Sequence, residues 1–522
     1  MPIPHALSDL SVRRVLASSV ILLAGGIAHG GTPPTLLLRS GDAAPANIGG
    51  TVTGISSPGV SVSRAVSSGI STGVDDALLR RSPFGGAFET VLRSGTTLPG
   101  SQGEFLAFRF ELLVSNEPTL RASDTFAPIN ARGDISLYAV VSNPDNFGNS
   151  VLGTYWAPRE GDPQQVWRQL SPFPGIEGGP PTNGGMLPAM TDDGAYVGTV
   201  QVSNNFESPF PIRVDDEGLR LLTGGSVGSI AYNRHGKGVV NDGIALLGMN
   251  SAGDLTPLVV AQGSVPGVPD ARFRFNETSI AGDGSVAFLA NIQGGDVPSG
   301  ERRGVWSVRD GVLSELVRSG DEASGTDAAF SLFRSVSAGS EDGVVFGVRL
   351  RAISGDPLDD EMSEALYFSD GVSAPTLLAR AGSQAPGAAG GVFGRFPAEA
   401  LAINARDQVA FLAVLADGVG GVEAGVNDAG LWAGGRDGID LLVRTGDTVD
   451  VARQGESPDP RTVASIIFNP IQSLADNDRL GYTLEFTDGT FAAFETFIGT
   501  PPTACAGDFD RAGDVDLGDF AG

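Results

Sequence analysis

The chain has 522 residues, of which 41% are apolar, 74 are glycine and 33 are proline, so it can bury a large core built from many short strands and tight turns. A formal charge of −27, with no Lys/Arg cluster interleaved with aromatics, excludes binding to a phosphate backbone and serves solubility. The single cysteine, Cys505, excludes a disulfide framework, and with His5 and His29 in the first thirty residues only His235 remains, which excludes a zinc site made of several imidazoles.

Residues 1–30 carry the pattern of an export signal. Arg13 and Arg14 precede the apolar run VLASSVILLAGGIA, and Ala28 to Gly30 supply the small residues that a signal peptidase requires. The run is too short to span a bilayer comfortably. The arginine pair in SVRRVL is a loose match to a twin-arginine signal. No later segment has transmembrane character. The protein is therefore expected to be secreted or held at the cell surface, with residues 31–500 as the folded domain and 501–522 as a separate tail.

Two signatures recur along residues 31–500. The first is an apolar run closing on an arginine, a small residue and a glycine: LLLRSGD, VLRSG, LVRSGD, LLARAGS and LLVRTGD, with Arg39, Arg93, Arg318, Arg380 and Arg444. Consecutive copies are 54, 62 and 64 residues apart, and the gap between Arg93 and Arg318 leaves room for about four further units, marked by VWRQLSPFPG, LRLLTGGSVG and LVVAQGSVPG. The second is a polar turn followed by an alternating strand: INARGDISLYAVV, MTDDGAYVGTVQV, IAGDGSVAFLANI, INARDQVAFLAVL and LADNDRLGYTLEF. A third strand lies between them, as in RRGVWSVRDG, EALYFSDG and AGLWAGGRDG, and a Phe-x-x-Phe stretch often leads the unit.

Each unit thus offers three or four short antiparallel strands, a sheet too small to stand alone. Stacking such sheets radially buries both faces, so an all-β fold is expected: a β-propeller of about eight blades, with seven as the alternative. The strand in TLLLRSGD is placed to close the ring against LGYTLEF and FAAFETFIG. A linear β-solenoid is the competing architecture, but it would expose two end sheets for which the sequence offers no caps.

Most candidate site residues have a structural reading. His235, in AYNRHGKGVV, is expected in an exposed turn. Asp134, Asp193, Asp283 and Asp407 fall in the repeated turns, where Asp bonds nearby backbone N–H groups. The RGD of Arg132 to Asp134 aligns with ARDQ and GDGS and is expected to be a hairpin turn. Trp306 and Trp432, with Tyr367 between them, recur at one repeat position and are expected to pack blades. The repeated arginines are expected to pair with the aspartate that follows them.

The tail differs in kind. DFDRAGDVDLGD fits a twelve-residue EF-hand-like loop, with Asp508 at position 1, Asp510 at 3, Gly513 at the sharp turn, the carbonyl of Asp514 at 7, Asp516 at 9 and Asp519 at 12. These five aspartates are the expected calcium ligands. Ala512 replaces the oxygen donor of position 5, so weak binding is expected.

The tail resembles the type I dockerin repeat, whose helix likewise begins DF. Dockerins pair two such loops as an attachment module, some with a cysteine ahead of the first loop and another near the end. The resemblance implies that Cys505 is the first of these, that the sequence is truncated before the second loop, and that the partner is a cell-surface or scaffold component. Residues 36–500 are similar to exported bacterial tandem-repeat proteins with N-x-x-G-x-V-A-F-x-A-x-L and L-V-x-R-x-G-D-x-A-P-G signatures, carried here by INARDQVAFLAVL, IAGDGSVAFLANI, LLLRSGDAAP and LLARAGSQAPG. That resemblance implies a secreted propeller and transfers no catalytic residue. The expectation for function is a non-enzymatic propeller that binds an unidentified ligand and is tethered through a calcium-dependent tail. The alternatives are a carbohydrate-active hydrolase or lyase using Asp/Glu at the propeller mouth, and a surface-layer protein.

Overall fold

The computed structural model describes residues 33–499, apart from 73–74, 83–85, 99–104, 109–111, 115–119, 124–128, 143–149, 169–180, 185–188, 203–209, 216–217, 224–226, 228, 234, 340–342, 354–362, 398–399 and 471–472. The export signal and the aspartate-rich tail lie outside these residues. Within them the chain forms eight antiparallel sheets that follow one another in sequence and close into a ring. We number them blades 1 to 8, with blades 1 to 4 formed by strands within 54–93, 105–168, 181–221 and 229–260, and name the four strands of each inner, second, third and outer.

Blade 5 shows the plan in full. Its inner strand is Ala271–Ile280, its second Val286–Gly294, its third Arg303–Arg309 and its outer Val312–Arg318. Blade 6 repeats it with Ala328–Ala338, Val344–Ala352, Glu364–Ser369 and Thr376–Arg380. In blade 7 the inner strand is split into Phe393–Arg395 and Leu401–Ile403, ahead of Val409–Leu415, Ala429–Gly435 and Gly438–Arg444. The expected eight units are all present, including the four between Arg93 and Arg318 whose sequences are most degenerate.

The ring closes as anticipated. Blade 8 takes its inner strand Pro460–Phe468, second strand Arg479–Phe486 and third strand Phe491–Phe497 from the end of the domain, and its outer strand Thr35–Arg39 from the beginning. Thr35 lies opposite Glu495 and Arg39 opposite Ala492, so the seam is an antiparallel ladder with one bulge, at Leu37. One addition was not foreseen. Between its inner strand Phe105–Phe108 and its second strand Ile135–Ser142, blade 2 sends out Leu112–Val114 and Leu120–Ser123, and the latter pairs in parallel with the inner strand of blade 8, Leu120 opposite Ile466. The insertion therefore covers the channel-facing edge of blade 8, an edge that would otherwise present unpaired backbone groups.

Strand alternation explains the core. In blade 5, Phe288 and Trp306 point toward blade 4, while Ala287, Leu289 and Val305 point toward Phe330, Phe333 and Phe346 of blade 6. These two clusters are thus each shared by two adjacent blades, as are those between blades 6 and 7 and between blades 7 and 8. Trp306, Tyr367 and Trp432, all fully buried, repeat one arrangement: each stacks on the phenylalanine directly across the ladder and meets an inner-strand phenylalanine edge-on. The stacked pairs are Phe288–Trp306 at 6.0 Å, Phe346–Tyr367 at 5.8 Å and Phe411–Trp432 at 6.2 Å; the edge-on partners are Phe273, Phe330 and Phe393. Pairs of this kind contribute about 0.5–1.5 kcal/mol beyond area burial. The repeated aromatics pack blades, as the sequence suggested.

Candidate functional site

The repeated arginine ends the outer strand and anchors the crossing to the next blade. The backbone N–H groups of Arg39, Arg318 and Arg444 donate to Asp42 at 2.9 Å, Asp321 at 2.7 Å and Asp447 at 2.8 Å. The glycine two residues on takes a positive φ, 98° at Gly320 and 82° at Gly446. It donates its N–H to the inner strand of the following blade, Gly320 to Phe330 and Gly446 to Val463, both at 2.8 Å. The Arg-x-Gly-Asp signature is a turn device.

The polar turn of the second signature joins inner and second strands and lies at one mouth of the channel. Its first residue, when asparagine, accepts two backbone N–H groups within the turn. Asn130 accepts from Arg132 and Asp134, Asn233 from His235 and Lys237, and Asn404 from Arg406 and Gln408. The same side chain then donates across the blade boundary, from Asn130 to the Thr191 carbonyl at 2.8 Å, Asn233 to Ala281 at 2.6 Å and Asn404 to Ala475 at 2.9 Å. Asp192 and Asp476 each accept a backbone N–H from the preceding blade's turn, that of Ala131 and that of Ala405. Among the described turns the fourth residue has positive φ, supplied by Gly133, Gly194, Gly236 and Gly284, by Arg64 at 66°, or by Asp407 at 60° and Asp478 at 65°. The turns therefore clasp one another around the mouth.

These bonds place the residues singled out by sequence. Arg132 to Asp134 form the turn of blade 2, with Asp134 buried and accepting from Asn130 and from the Arg159 N–H. His235 is exposed in the turn of blade 4, its Nδ1 3.5 Å from Asp192 of blade 3. Asp283 accepts from the Ser285 N–H at 2.9 Å, and its carbonyl receives Lys237 of the neighbouring blade. At Asp193 burial raises the pKa, but the Thr191 hydroxyl and the Arg213 guanidinium outweigh it and hold the carboxyl below its usual range. The five tail aspartates, Asp508, Asp510, Asp514, Asp516 and Asp519, lie outside the described residues.

A cleft between blades 5 and 6 was not singled out by the sequence. It encloses about 280 Å³ and is lined by Asn276, Leu289, Asn291, Arg303, Leu332 and Phe333. The ladder sets Arg274, Asn291 and Arg303 opposite one another on three successive strands, hence on one face. Asn276 is the extra residue of a bulge between Phe275 and Glu277. Among the described residues, the side chains of Asn276, Asn291 and Arg303 have no hydrogen-bond or ion-pair partner. Its signal lay in the alignment of repeats: where blade 5 has Asn291 opposite Arg303, blade 6 has Arg349 opposite Glu364.

Eight antiparallel sheets closed around a channel by a strand from the other end of the chain define an eight-bladed β-propeller. Residues 213–494 match the model of the family of unknown function DUF7453, and the chain belongs to that family. No match is found among the curated proteins. Among solved structures, the β-propeller domain of the Trilobed protease from Pyrococcus furiosus is similar over 85% of this chain and 93% of its own, at 8% identity and a TM-score of 0.36. Oligogalacturonate lyase from Vibrio parahaemolyticus is similar over 76% of this chain and 98% of its own, at 12% identity and a TM-score of 0.36. For acylaminoacyl peptidase from Pyrococcus horikoshii the shares are 83% and 58%, with 9% identity and a TM-score of 0.35. The likeness is one of fold. No helix among the described residues is long and apolar enough to cross a membrane.

Proposed function

We propose that this protein is an exported, non-enzymatic β-propeller that binds a ligand at its blade clefts and is held at a surface or scaffold by its calcium-binding tail. The observation that carries the reading is the division of labour among polar residues. The recurrent Asp and Asn side chains bond backbone across blade boundaries, whereas the open cleft is lined by two amides, a guanidinium and apolar groups with no carboxylate. Such a lining can recognise a ligand, but it offers no acid–base pair for hydrolysis or elimination. Export is supported by residues 1–30, and the tether by the spacing of Asp508, Asp510, Asp514, Asp516 and Asp519.

The experiment has two arms. The secreted protein is expected to begin near Gly30, to bind calcium weakly through the tail, and to lose that binding in Asp508→Asn. Polysaccharides and esters incubated with it are expected to remain intact. Turnover that disappears on replacing a single carboxylate would overturn the binding role, and calcium binding that survives Asp508→Asn would overturn the tether.

A further inference from the structure

We propose that the cleft between blades 5 and 6 is a subsite for the carboxylate of a small acidic ligand. The inference deepens the binding-protein reading and rests on it, but its support is internal to the molecule. The equivalent cleft between blades 6 and 7 is already filled by a carboxylate, that of Glu364. This group is buried and takes an ion pair from Arg334, a second from Arg349 at 3.7 Å and a hydrogen bond from the Phe396 backbone N–H at 2.9 Å. That site is closed: the space left beside Arg334, Glu364 and Phe396 is about 10 Å³.

Registers fix the correspondence between the two clefts. Phe288 opposite Trp306 matches Phe346 opposite Tyr367, so three residues further along Asn291 matches Arg349 and Arg303 matches Glu364. The bulged residue is Asn276 in blade 5, between Phe275 and Glu277, and Arg334 in blade 6, between Phe333 and Ser335. Phe333 stands where Phe396 stands. Blade 5 therefore lacks the internal carboxylate and puts a guanidinium in its place.

The remaining charges agree. Arg272 and Arg274 are exposed on the same face as Asn291 and Arg303, opposite Gln293 and Asn291, and none of these cross-strand neighbours is acidic. The one carboxylate these registers place on the same face, Glu277 opposite Leu289, accepts the Val336 N–H of blade 6 at 3.1 Å, so in a protein of charge −27 the arginines at this cleft outnumber the acid beside them. A guanidinium fork flanked by two amides recognises a carboxylate through charge-assisted hydrogen bonds, and Leu289, Leu332 and Phe333 offer apolar contact to a small body attached to it. The volume is close to the lower end for ligand pockets.

Isothermal titration calorimetry of the full chain tests this with three probes: glucuronate, succinate and glucose. Glucuronate or succinate is expected to bind at millimolar concentration, while neutral glucose gives no heat. Binding of glucuronate alone would place the carboxylate on a sugar, and comparable binding of both would show that the carboxylate suffices. Arg303→Gln is expected to weaken binding at least about tenfold. The triple variant Asn276→Arg, Asn291→Arg, Arg303→Glu, which copies the filled cleft, is expected to abolish binding and keep the wild-type melting temperature. Absence of heat with both acids, or affinity unchanged in Arg303→Gln, would overturn the subsite. Neither result bears on leader cleavage, calcium binding or the absence of turnover, which test the broader reading.

Discussion

Trp432 donates its indole N–H to the carbonyl of Pro386 at 3.0 Å, fixing the strand-to-blade crossing against the core of the blade it enters. One repeat earlier, Tyr367 donates its hydroxyl to the carbonyl of Ser324 at 3.1 Å. Ser324 and Pro386 both lie six residues beyond the anchoring arginine, Arg318 or Arg380. In these two copies the bond satisfies the polar end of an aromatic that is otherwise fully buried. Trp432→Phe keeps most of the ring but leaves the Pro386 carbonyl without its donor, so a loss of about 1–2 kcal/mol is expected in urea unfolding. Trp432→Ala also opens a cavity and is expected to cost about 3–5 kcal/mol.

Asn404 and Asn250 separate the two roles of the turn asparagine. Both accept two backbone N–H groups inside their own turns. Only Asn404, which is buried, also donates to the next blade, at the Ala475 carbonyl and Asp478. Asn404→Ala is expected to destabilise by about 2–3 kcal/mol, because it also takes a donor from the buried Ala475 carbonyl and from the Asp478 carboxylate, leaving them only the Asp478 N–H and Arg406. Asn250→Ala, on an exposed turn, is expected to cost about 1 kcal/mol or less. Equal losses in the two variants would refute the clasp between blades.

The blade count and ring closure were legible because they rest on local, repeated chemistry. A strand-ending arginine, a positive-φ glycine and an aspartate acceptor leave the same letters at Arg39, Arg318 and Arg444, while the degenerate copy around Leu221 keeps the apolar run without the arginine or the aspartate. The insertion at Leu120–Ser123 left no such mark, because its partner Ile466 belongs to the far end of the domain and a parallel pairing has no turn signature. The cleft was hidden for a different reason. Arg303 reads as an ordinary surface arginine until the ladder places it opposite Asn291, where the neighbouring blade has an arginine–glutamate pair.

The seam between blades 8 and 1 carries a buried charge cluster. Glu495 is 4% exposed and lies 3.0 Å from Arg81 of blade 1 and 3.1 Å from Arg479 of blade 8. Removing the carboxylate leaves two half-buried guanidinium groups facing each other, so Glu495→Ala is expected to cost about 3–5 kcal/mol. The damage should be local at first. Hydrogen exchange is expected to rise along Thr35–Arg39 and Phe491–Phe497 before the other blades, and uniform exchange across the ring would refute a weak seam.

Asp447 gives the turn device a pH dependence whose sign is unusual for a carboxylate. Burial raises its pKa above the ordinary 3.8, although the Arg444 N–H and guanidinium pull the other way. A carboxyl with a raised folded-state pKa supports the fold most fully when protonated, below the unfolded value. That support is lost as pH rises from about 3.8 through the higher folded value. At neutral pH the ionised group therefore weighs against folding. Asp447→Asn keeps an oxygen to accept the Arg444 N–H and removes the half-buried charge, so its melting temperature is expected to exceed wild type slightly at pH 7. The advantage should shrink as the pH is lowered and vanish below about 3.8, which a series of thermal melts in that range would read directly. A variant less stable at pH 7 and level with wild type in acid would mean that the ion pair with Arg444 outweighs burial.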